Sequence, residues 1–432
     1  MTQQADIVVI GAGMVGAALA TGLGQSGFRV ALVDRASEPD MASTTAPDLR
    51  VSAISAGSER YLRKLGAWSR MEQQRLTPYR RLSVWDQSPY PLSGFKPQPA
   101  RTTFSARELD CSHLGHIVEN QVTQRALWEC AKNIENVQVH AGDSVRAIHN
   151  GTDDARVTLE SGLELTCQLV IGADGAQSRV RTLAGIGVSR DQYAQQALVA
   201  SVRYRGPVQD ITWQAFFPSG PRAFLPLHAN GEESWASLVW YDAPDVLARL
   251  KSLSGTEFLA AVQSAFPEDL PTLTHVEARA SFPIAKQHAS RYVEGRVVLV
   301  GDAAHTINPL AGQGVNLGFQ DAEELESQLR EARRAGSDLA EPFWLGRYEI
   351  KRRPANRRMM LAMDAFYYLF SNRLPPVHLL RNLGLGLAQH LPFARNQVAR
   401  YAMGLEDGRT RSVAGLLASL PRPGFMKQPK GP

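Results

Sequence analysis

The sequence predicts an α/β fold (α+β over the whole chain): a Rossmann-like nucleotide-binding domain, an inserted antiparallel β-sheet domain and C-terminal helices. Three observations predict it. An apolar run, Ile7 to Ile10, leads straight into Gly11-Ala12-Gly13-Met14-Val15-Gly16. Two later apolar runs, Leu169 to Ile171 and Val297 to Val300, also end in Gly/Asp turns. Between Gln192 and Ala285 tryptophan, phenylalanine and tyrosine alternate with polar residues, as in Thr212 to Phe217 and Ser234 to Tyr241. That alternation marks a sheet with one covered face.

Taken in order, Ile7 to Ile10 reads as a buried parallel strand, Met14 to Ser26 as a helix and Arg29 to Val33 as a second strand, a βαβ unit. Ser52 to Leu65 reads as helical. Pro78 to Ala100, rich in proline and aromatics, reads as loop or edge strand. Gln121 to Asn133 is a predicted helix. Val137 to His140, Val145 to His149, Arg156 to Glu160 and Leu163 to Gln168 are predicted short strands. From Asp321 to about Gly404 the pattern is mostly helical, and Glu406 to Pro432 reads as a loosely ordered tail. The expected nucleotide-binding domain is therefore discontinuous, in three parts at 1–78, 106–185 and 285–345. The expected second domain takes 79–105 and 186–284, with a helical region at 346–405 and the tail at 406–432.

Composition narrows the function classes. The chain has 432 residues with 47 Lys and Arg against 42 Asp and Glu, a net charge of +5 that is too small to argue for nucleic acid. The cysteines, Cys111, Cys130 and Cys167, show no CxxC spacing, which fits a reducing compartment and thiols that are simply buried. The N-terminal apolar run is short and has no basic region before it, so no signal peptide is expected. No apolar stretch approaches the roughly 18 residues a membrane span needs. A cytoplasmic protein is expected, at most peripheral on the inner membrane.

The motifs carry the chemistry. Gly11 permits a tight turn, Gly13 lets backbone approach a pyrophosphate, and Gly16 lets the helix pack on the strand. A lone GxGxxG is weak, but this one has its strand, its helix and a second strand ending in Asp34. An acid there accepts from ribose hydroxyls and repels a 2′-phosphate, which favours FAD or NAD over NADP. The second motif is Gly172-Ala173-Asp174-Gly175, followed by Ser178, Arg179 and Arg181. Those groups suit phosphate or pyridine-nucleotide contacts, or the holding of Asp174 by an arginine. The third is Gly301-Asp302-Ala303-Ala304-His305, running on to Pro309-Leu310-Ala311-Gly312-Gln313-Gly314-Val315-Asn316. Asp302 can reach a sugar hydroxyl, and the N–H groups from Gly312 to Asn316 can face negative charge. One cofactor gripped by segments so far apart in sequence suggests a flavin.

These three motifs, in this order, resemble the flavoprotein monooxygenases related to p-hydroxybenzoate hydroxylase, over Asp6 to about Leu405. The resemblance implies that the first motif binds the ADP half of FAD, that Asp174 is shared between FAD and NADH or NADPH, and that the third motif meets the ribityl chain and flavin ring. By position it implies that Arg50 lies near the flavin and that Asn120 or Gln121 supplies an amide to FAD. It puts the Pro309 carbonyl over the substrate side of the ring. The family commonly has Glu where this chain has Asp34. Pro78-Tyr79-Arg80-Arg81-Leu82, Gly115 to Asn120, Gly220 to Leu227, Trp235 to Asp242 and Tyr401 to Leu405 are similar to the bacterial ubiquinone-pathway hydroxylases. This implies NAD(P)H-driven use of O2 through a flavin hydroperoxide to hydroxylate a prenylated quinol, with the demethoxyubiquinol ring as the best match and another ring position as the alternative. It also implies contact with other ubiquinone-biosynthesis proteins. A non-catalytic, flavin-bound scaffold in such an assembly is the non-enzymatic alternative. The Trp-x-Trp-x-Ile-Pro of flavin halogenases is missing between the first two motifs.

An activated quinol needs positioning and dryness more than a strong base. His305 is the tempting catalytic side chain, but it reads better as a brace for the turn beside Asp302. Arg222 and Tyr241 are candidates to line the pocket, and Trp213, Phe216, Phe217, Phe224, Trp235 and Trp240 read as core. Arg347, Lys351, Arg352, Arg353, Arg357 and Arg358 precede the apolar run from Met359 to Phe370. That order suits either peripheral contact with an anionic membrane or a packed helix with a solvated basic face.

Overall fold

The computed structural model describes residues 2–40, 46–87, 101–308 and 314–370. A six-stranded sheet forms the nucleotide-binding core. Its order is Val293–Glu294, Val297–Leu299, Leu169–Gly172, Ile7–Ile10, Val30–Asp34 and Val137–Ala141. All neighbours are parallel except the first pair. Strands β1 (Ile7–Ile10), β2 (Val30–Asp34), β3 (Leu169–Gly172) and β4 (Val297–Leu299) are almost wholly buried, so their sequences are apolar runs rather than alternations. Helices α1 (Met14–Gln25), α2 (Asn120–Lys132) and α3 (Gly314–Arg334) pack around this sheet and share one core with it.

The second large sheet has eight strands. Their order is His305–Thr306, Leu273–Ala289, Val188–Arg205, Glu233–Asp242, Gly220–Asn230, Ile211–Phe217, Arg81–Asp86 and Arg101–Ser105. Only the pairing of Ile211–Phe217 with Arg81–Asp86 is parallel. Two helices, Pro244–Ser252 and Gly255–Ala265, cover one face and bury Leu247, Leu250, Phe258 and Val262 against it. Trp213, Phe216, Phe224, Trp235 and Trp240 are buried and Phe217 packs beside them, as the alternating pattern predicted. Smaller sheets of four and three strands complete the sheet structure among the described residues. Among the described residues, no helix is long and apolar enough to cross a membrane.

Three predicted elements need correction. Ser52 to Leu65 is not one helix. Val51–Ser55 is a strand paired with Gly115–Glu119, and the helix starts at Ala56, where the Ser55 hydroxyl accepts from the Ser58 N–H. Arg81–Asp86 is neither loop nor edge: it is flanked on both sides in the large sheet. The C-terminal helical region begins earlier than Asp321, at Gly314, and continues as α4 (Pro342–Phe370). The expected helix beyond Phe370, the tail, and 88–100 lie outside the described residues. Cys130 and Cys167 are buried and Cys111 half-buried, all as free thiols.

Candidate active site

The first turn is shaped by backbone contacts that only glycine tolerates. Gly11 has φ +103°, and a Cβ there would lie 2.4 Å from the Ala173 carbonyl oxygen. Its N–H donates to Val33 O at 2.7 Å, while Ala173 N–H donates to Ile10 O at 2.7 Å. Gly16 meets the turn itself: a Cβ would sit 1.9 Å from Gly11 O. Gly13 differs, since a Cβ there meets nothing within 4 Å. No side chain caps α1 at Gly13, so its first N–H groups are left for an anion.

Asp34 binds the turn from the next strand. One carboxylate oxygen accepts from the Ala12 N–H at 2.5 Å and the other from the Ala36 N–H at 2.7 Å. The Ala12 carbonyl accepts from Trp128 Nε1 at 2.6 Å and Gln124 Nε2 at 3.1 Å, both on α2. Sequence reasoning missed these two braces. Their spacing on one helix face was the available signal.

At the second motif, Asp174 Oδ2 accepts from the N–H groups of Arg179 and Val180 at 2.7 and 3.0 Å, while its Oδ1 is buried without a partner. Among the described residues neither arginine side chain bonds to Asp174. Arg179 reaches away to Glu160 at 3.1 Å. Arg181 is buried and donates to the carbonyls of Ala303 at 2.7 Å and Ala176 at 3.0 Å. It ties the second motif to the third. Ser178 caps the short helix by accepting from the Arg181 N–H.

The third motif starts at Gly301, with φ +58°. A Cβ at Gly301 would lie 3.3 Å from Val15, and one at Gly318 only 2.5 Å from it. Val15, inside the first motif, is thus a knob seated between Gly301 of the third motif and Gly318 on α3. Asp302 is exposed. The His305 ring is buried and pairs through Nε2 with Asp321 Oδ2 at 2.5 Å. Asp321 also accepts from Gly301 N–H at 3.1 Å, Arg352 Nε at 2.7 Å and Asn356 Nδ2 at 3.0 Å. These partners, led by the charges of His305 and Arg352, outweigh burial and hold the Asp321 carboxyl well below the usual range. Asp321, Arg352 and Asn356 were missed. An acid on the buried face of a predicted helix was the one signal in the sequence.

Asn316 pins the start of α3 to the strand after Arg50. Its Oδ1 accepts from Ser55 N–H at 2.9 Å and its Nδ2 donates to Ala53 O at 2.8 Å. Gly314 and Val315 precede it, half-buried. Pro309 and Gly312 lie outside the described residues. Arg50 is exposed, and its carbonyl accepts from the Asn120 N–H at 2.9 Å. Asn120 Oδ1 accepts from Ser52 Oγ at 2.7 Å, and Gln121 is exposed on the first turn of α2.

Arg222 is buried over Phe217 and Trp240, 3.8 and 4.5 Å from their ring centres, and donates to Ala265 O. Tyr241 is buried too, its hydroxyl donating to Asn308 Oδ1 at 3.3 Å.

The three motifs therefore converge through Ala173, Val15 and Arg181, and Asn316 adds the segment next to Arg50. The fit for a dinucleotide rests on uncapped helix N–H groups, on Gly13 with space where a side chain would be, and on carboxylates at Asp34, Asp174 and Asp302.

Comparison with known proteins gives the same picture. The family model described as FAD binding domain matches residues 4–362. The 3-demethoxyubiquinol 3-hydroxylase of Escherichia coli (strain K12) is 43% identical over 403 residues, covering 93% of this chain and 99% of that protein. The ubiquinone hydroxylase UbiL of Rhodospirillum rubrum is 33% identical, covering 93% and 90% respectively. The human mitochondrial ubiquinone biosynthesis monooxygenase COQ6 is 32% identical, covering 92% of each. In fold, the chain is similar to p-nitrophenol 4-monooxygenase PnpA of Pseudomonas putida DLL-E4, with a TM-score of 0.73 at 18% identity, covering 93% of this chain and 97% of that one.

Proposed function

The chain belongs to the FAD binding domain family and is an FAD-dependent monooxygenase, and from that premise we propose that it hydroxylates the ring of a prenylated quinol in ubiquinone biosynthesis, with demethoxyubiquinol as substrate. The observation that carries the substrate is the 43% identity to the Escherichia coli hydroxylase, spread over 93% of this chain and 99% of that protein.

The chemistry that bound FAD supplies is reduction by NADH or NADPH followed by activation of O2. In this reading Gly11, Gly13 and Gly16 admit the pyrophosphate to the N-terminus of α1, and Asp34 takes the adenosine ribose. The unpartnered oxygen of Asp174 and the open carboxylate of Asp302 accept from cofactor hydroxyls. Arg50, Asn120 and Gln121 approach the cofactor from the other side, and Gly314, Val315 and Asn316 offer the start of α3, continuing Gly312. The Pro309 carbonyl edges the substrate pocket. His305, locked on Asp321, positions the turn that carries Asp302 and is not assigned a proton-transfer step.

The prenyl tail implies a lipid surface. The exposed face of α4 carries Phe343, Ile350, Leu361, Phe366 and Tyr368 among the basic Arg347, Arg357 and Arg358. Apolar side chains interleaved with cations suit an anionic inner-membrane surface, with other enzymes of the pathway as neighbours. Arg352 does not belong to that face, because it is buried on Asp321.

The test is quinone profiling of a strain lacking this chain, with the purified yellow protein assayed beside it. Accumulated demethoxyubiquinone, cleared by the wild-type gene, supports the reading. A different accumulated intermediate moves the reaction to another ring position. NADH oxidation that yields only peroxide, with no hydroxylated quinol, would leave a flavin-bound scaffold instead.

A further inference from the structure

A cluster outside the cofactor site is not used by the proposed function. Glu59, on the helix Ala56–Lys64, meets His113 and His116, the latter on the strand Gly115–Glu119. Their ligand-bearing atoms all lie within 4.8 Å of one another. His113 Nε2 is 2.7 Å and His116 Nδ1 3.3 Å from the same Glu59 oxygen, Oε2. The other oxygen, Oε1, accepts from Arg63 Nε at 2.9 Å. His113 Nδ1 lies 2.8 Å from Ser112 Oγ.

A hydrogen-bonded acid and imidazole account for His113. They account less well for His116. Its Nδ1 is buried 3.3 Å from Glu59 Oε2, an ion-pair contact without a well-formed hydrogen bond. Its ring stands edge-on to Trp68, with centres 4.9 Å apart, so it is held facing the carboxylate. A buried nitrogen without a well-formed hydrogen bond is rare in folded proteins and leaves room for a further partner.

We infer that Glu59, His113 and His116 form a binding site for a divalent transition-metal ion of the zinc type. Imidazole and carboxylate together suit zinc better than magnesium or calcium. Zinc bonds of about 2.0–2.2 Å place tetrahedral ligand atoms roughly 3.3–3.5 Å apart. The Glu59–His116 spacing already matches, and His113 opens by under about an ångström. The outer partners are those of a metal site: Ser112 receives the Nδ1–H of His113, and Arg63 holds the second carboxylate oxygen. With 22% of its side chain exposed, His113 marks the way in for the ion and for a water as fourth ligand. The strand bearing His116 pairs with Val51–Ser55, next to Arg50, so the ion clamps a helix to the sheet that carries the cofactor-facing segment.

The test uses the full-length, FAD-loaded protein, treated with chelator and titrated with zinc chloride by calorimetry. Cobalt(II) provides a second readout, through d–d bands to the red of the flavin absorption. Wild type is expected to bind one equivalent and to melt at a higher temperature with zinc. His113→Ala, at the partly exposed position, should keep its fold and FAD but bind zinc at least roughly tenfold more weakly and lose the melting shift. His116→Ala should do the same. The proposal is overturned if wild type binds no zinc, or if wild type and His113→Ala bind it alike. Loss of binding in Cys111→Ser with retention in both histidine variants also overturns it.

Discussion

The first and third motifs pack on each other through Val15, yet they keep their shapes by different means. The Gly11 turn is fixed by its own backbone. Its glycines leave no space for a Cβ at Gly11 or Gly16, and neighbouring groups bond to Ala12 from both sides. The Gly301 turn is fixed from behind by buried charge. Asp321, His305, Arg352 and Asn356 close a network whose members come from three separate segments. A turn made of backbone fails through steric overlap. A turn held by buried charge fails when one partner leaves another unpaired.

The comparison breaks most visibly at Asp321. Asp321→Ala leaves the buried Arg352 guanidinium without its carboxylate partner and the Gly301 N–H without its acceptor. Removing one partner of a buried pair costs on the order of 3–5 kcal/mol. Denaturant unfolding of the FAD-loaded variant should show that loss, with flavin released early in the transition. A variant as stable as wild type would mean that the network does not hold the turn. The pH dependence follows from the lowered carboxyl. Its stabilisation is present above the unfolded pKa, near about 3.9, and is lost as pH falls from there towards the folded value.

The glycine turn gives a second, sharper contrast. Gly11→Ala forces a Cβ against the Ala173 carbonyl at a positive φ, and should cost several times the roughly 1 kcal/mol of an unstrained change. Gly13→Val has room, because a Cβ there meets nothing within 4 Å, so its fold should survive while FAD retention is lost. Thermal melts and the flavin absorbance of the purified variants separate the two. Equal destabilisation of both would erase the distinction between a glycine kept for packing and one kept for the ligand.

This difference also explains what the sequence could and could not show. Gly11, Gly13, Gly16 and Asp34 were legible because the strand, turn, helix and second strand that carry them follow one another directly, although Gly11 also packs against the distant Ala173. Ser52 to Ser55, in the strand Val51–Ser55, was misread as helix because its partner strand, Gly115–Glu119, is distant in sequence and the helix at Ala56 follows without a break. Arg352 looked like one more cation in a basic run. Nothing local reveals that its partner is Asp321, one helix away. Arg181 was misplaced for the same reason, since its acceptor at Ala303 belongs to the other end of the chain. Requirements set by nearby backbone can be read from spacing, whereas those set by remote charge need the fold.

Asp302 tests whether the third motif separates ligand from scaffold as the first does. Its side chain is open to solvent, and the turn is held by Asp321 instead. Asp302→Ala should therefore leave the melting temperature of the FAD-free protein within error of wild type. FAD binding should weaken by about 1–3 kcal/mol, the scale of a lost hydrogen bond to a charged group. Wild-type flavin affinity would remove Asp302 from the site.

The smallest effect is expected at the rim of the charged network. His288 donates or accepts with Tyr292 Oη at 3.0 Å, and burial together with the charges of His305, Arg353 and Arg357 pushes its pKa down to about 4. A histidine depressed in the fold binds protons less readily there than in the unfolded chain. Stability should therefore fall as pH drops from about 6.5 towards 4 and level off below that. His288→Gln keeps a polar group near Tyr292 but removes the titration. Between those limits it should lose about 1–2 kcal/mol less than wild type in denaturant unfolding, after discounting for partial exposure. Parallel pH profiles for the two proteins would mean that His288 is protonated as easily in the fold as outside it. The positive field assigned to this side of the network would then be screened.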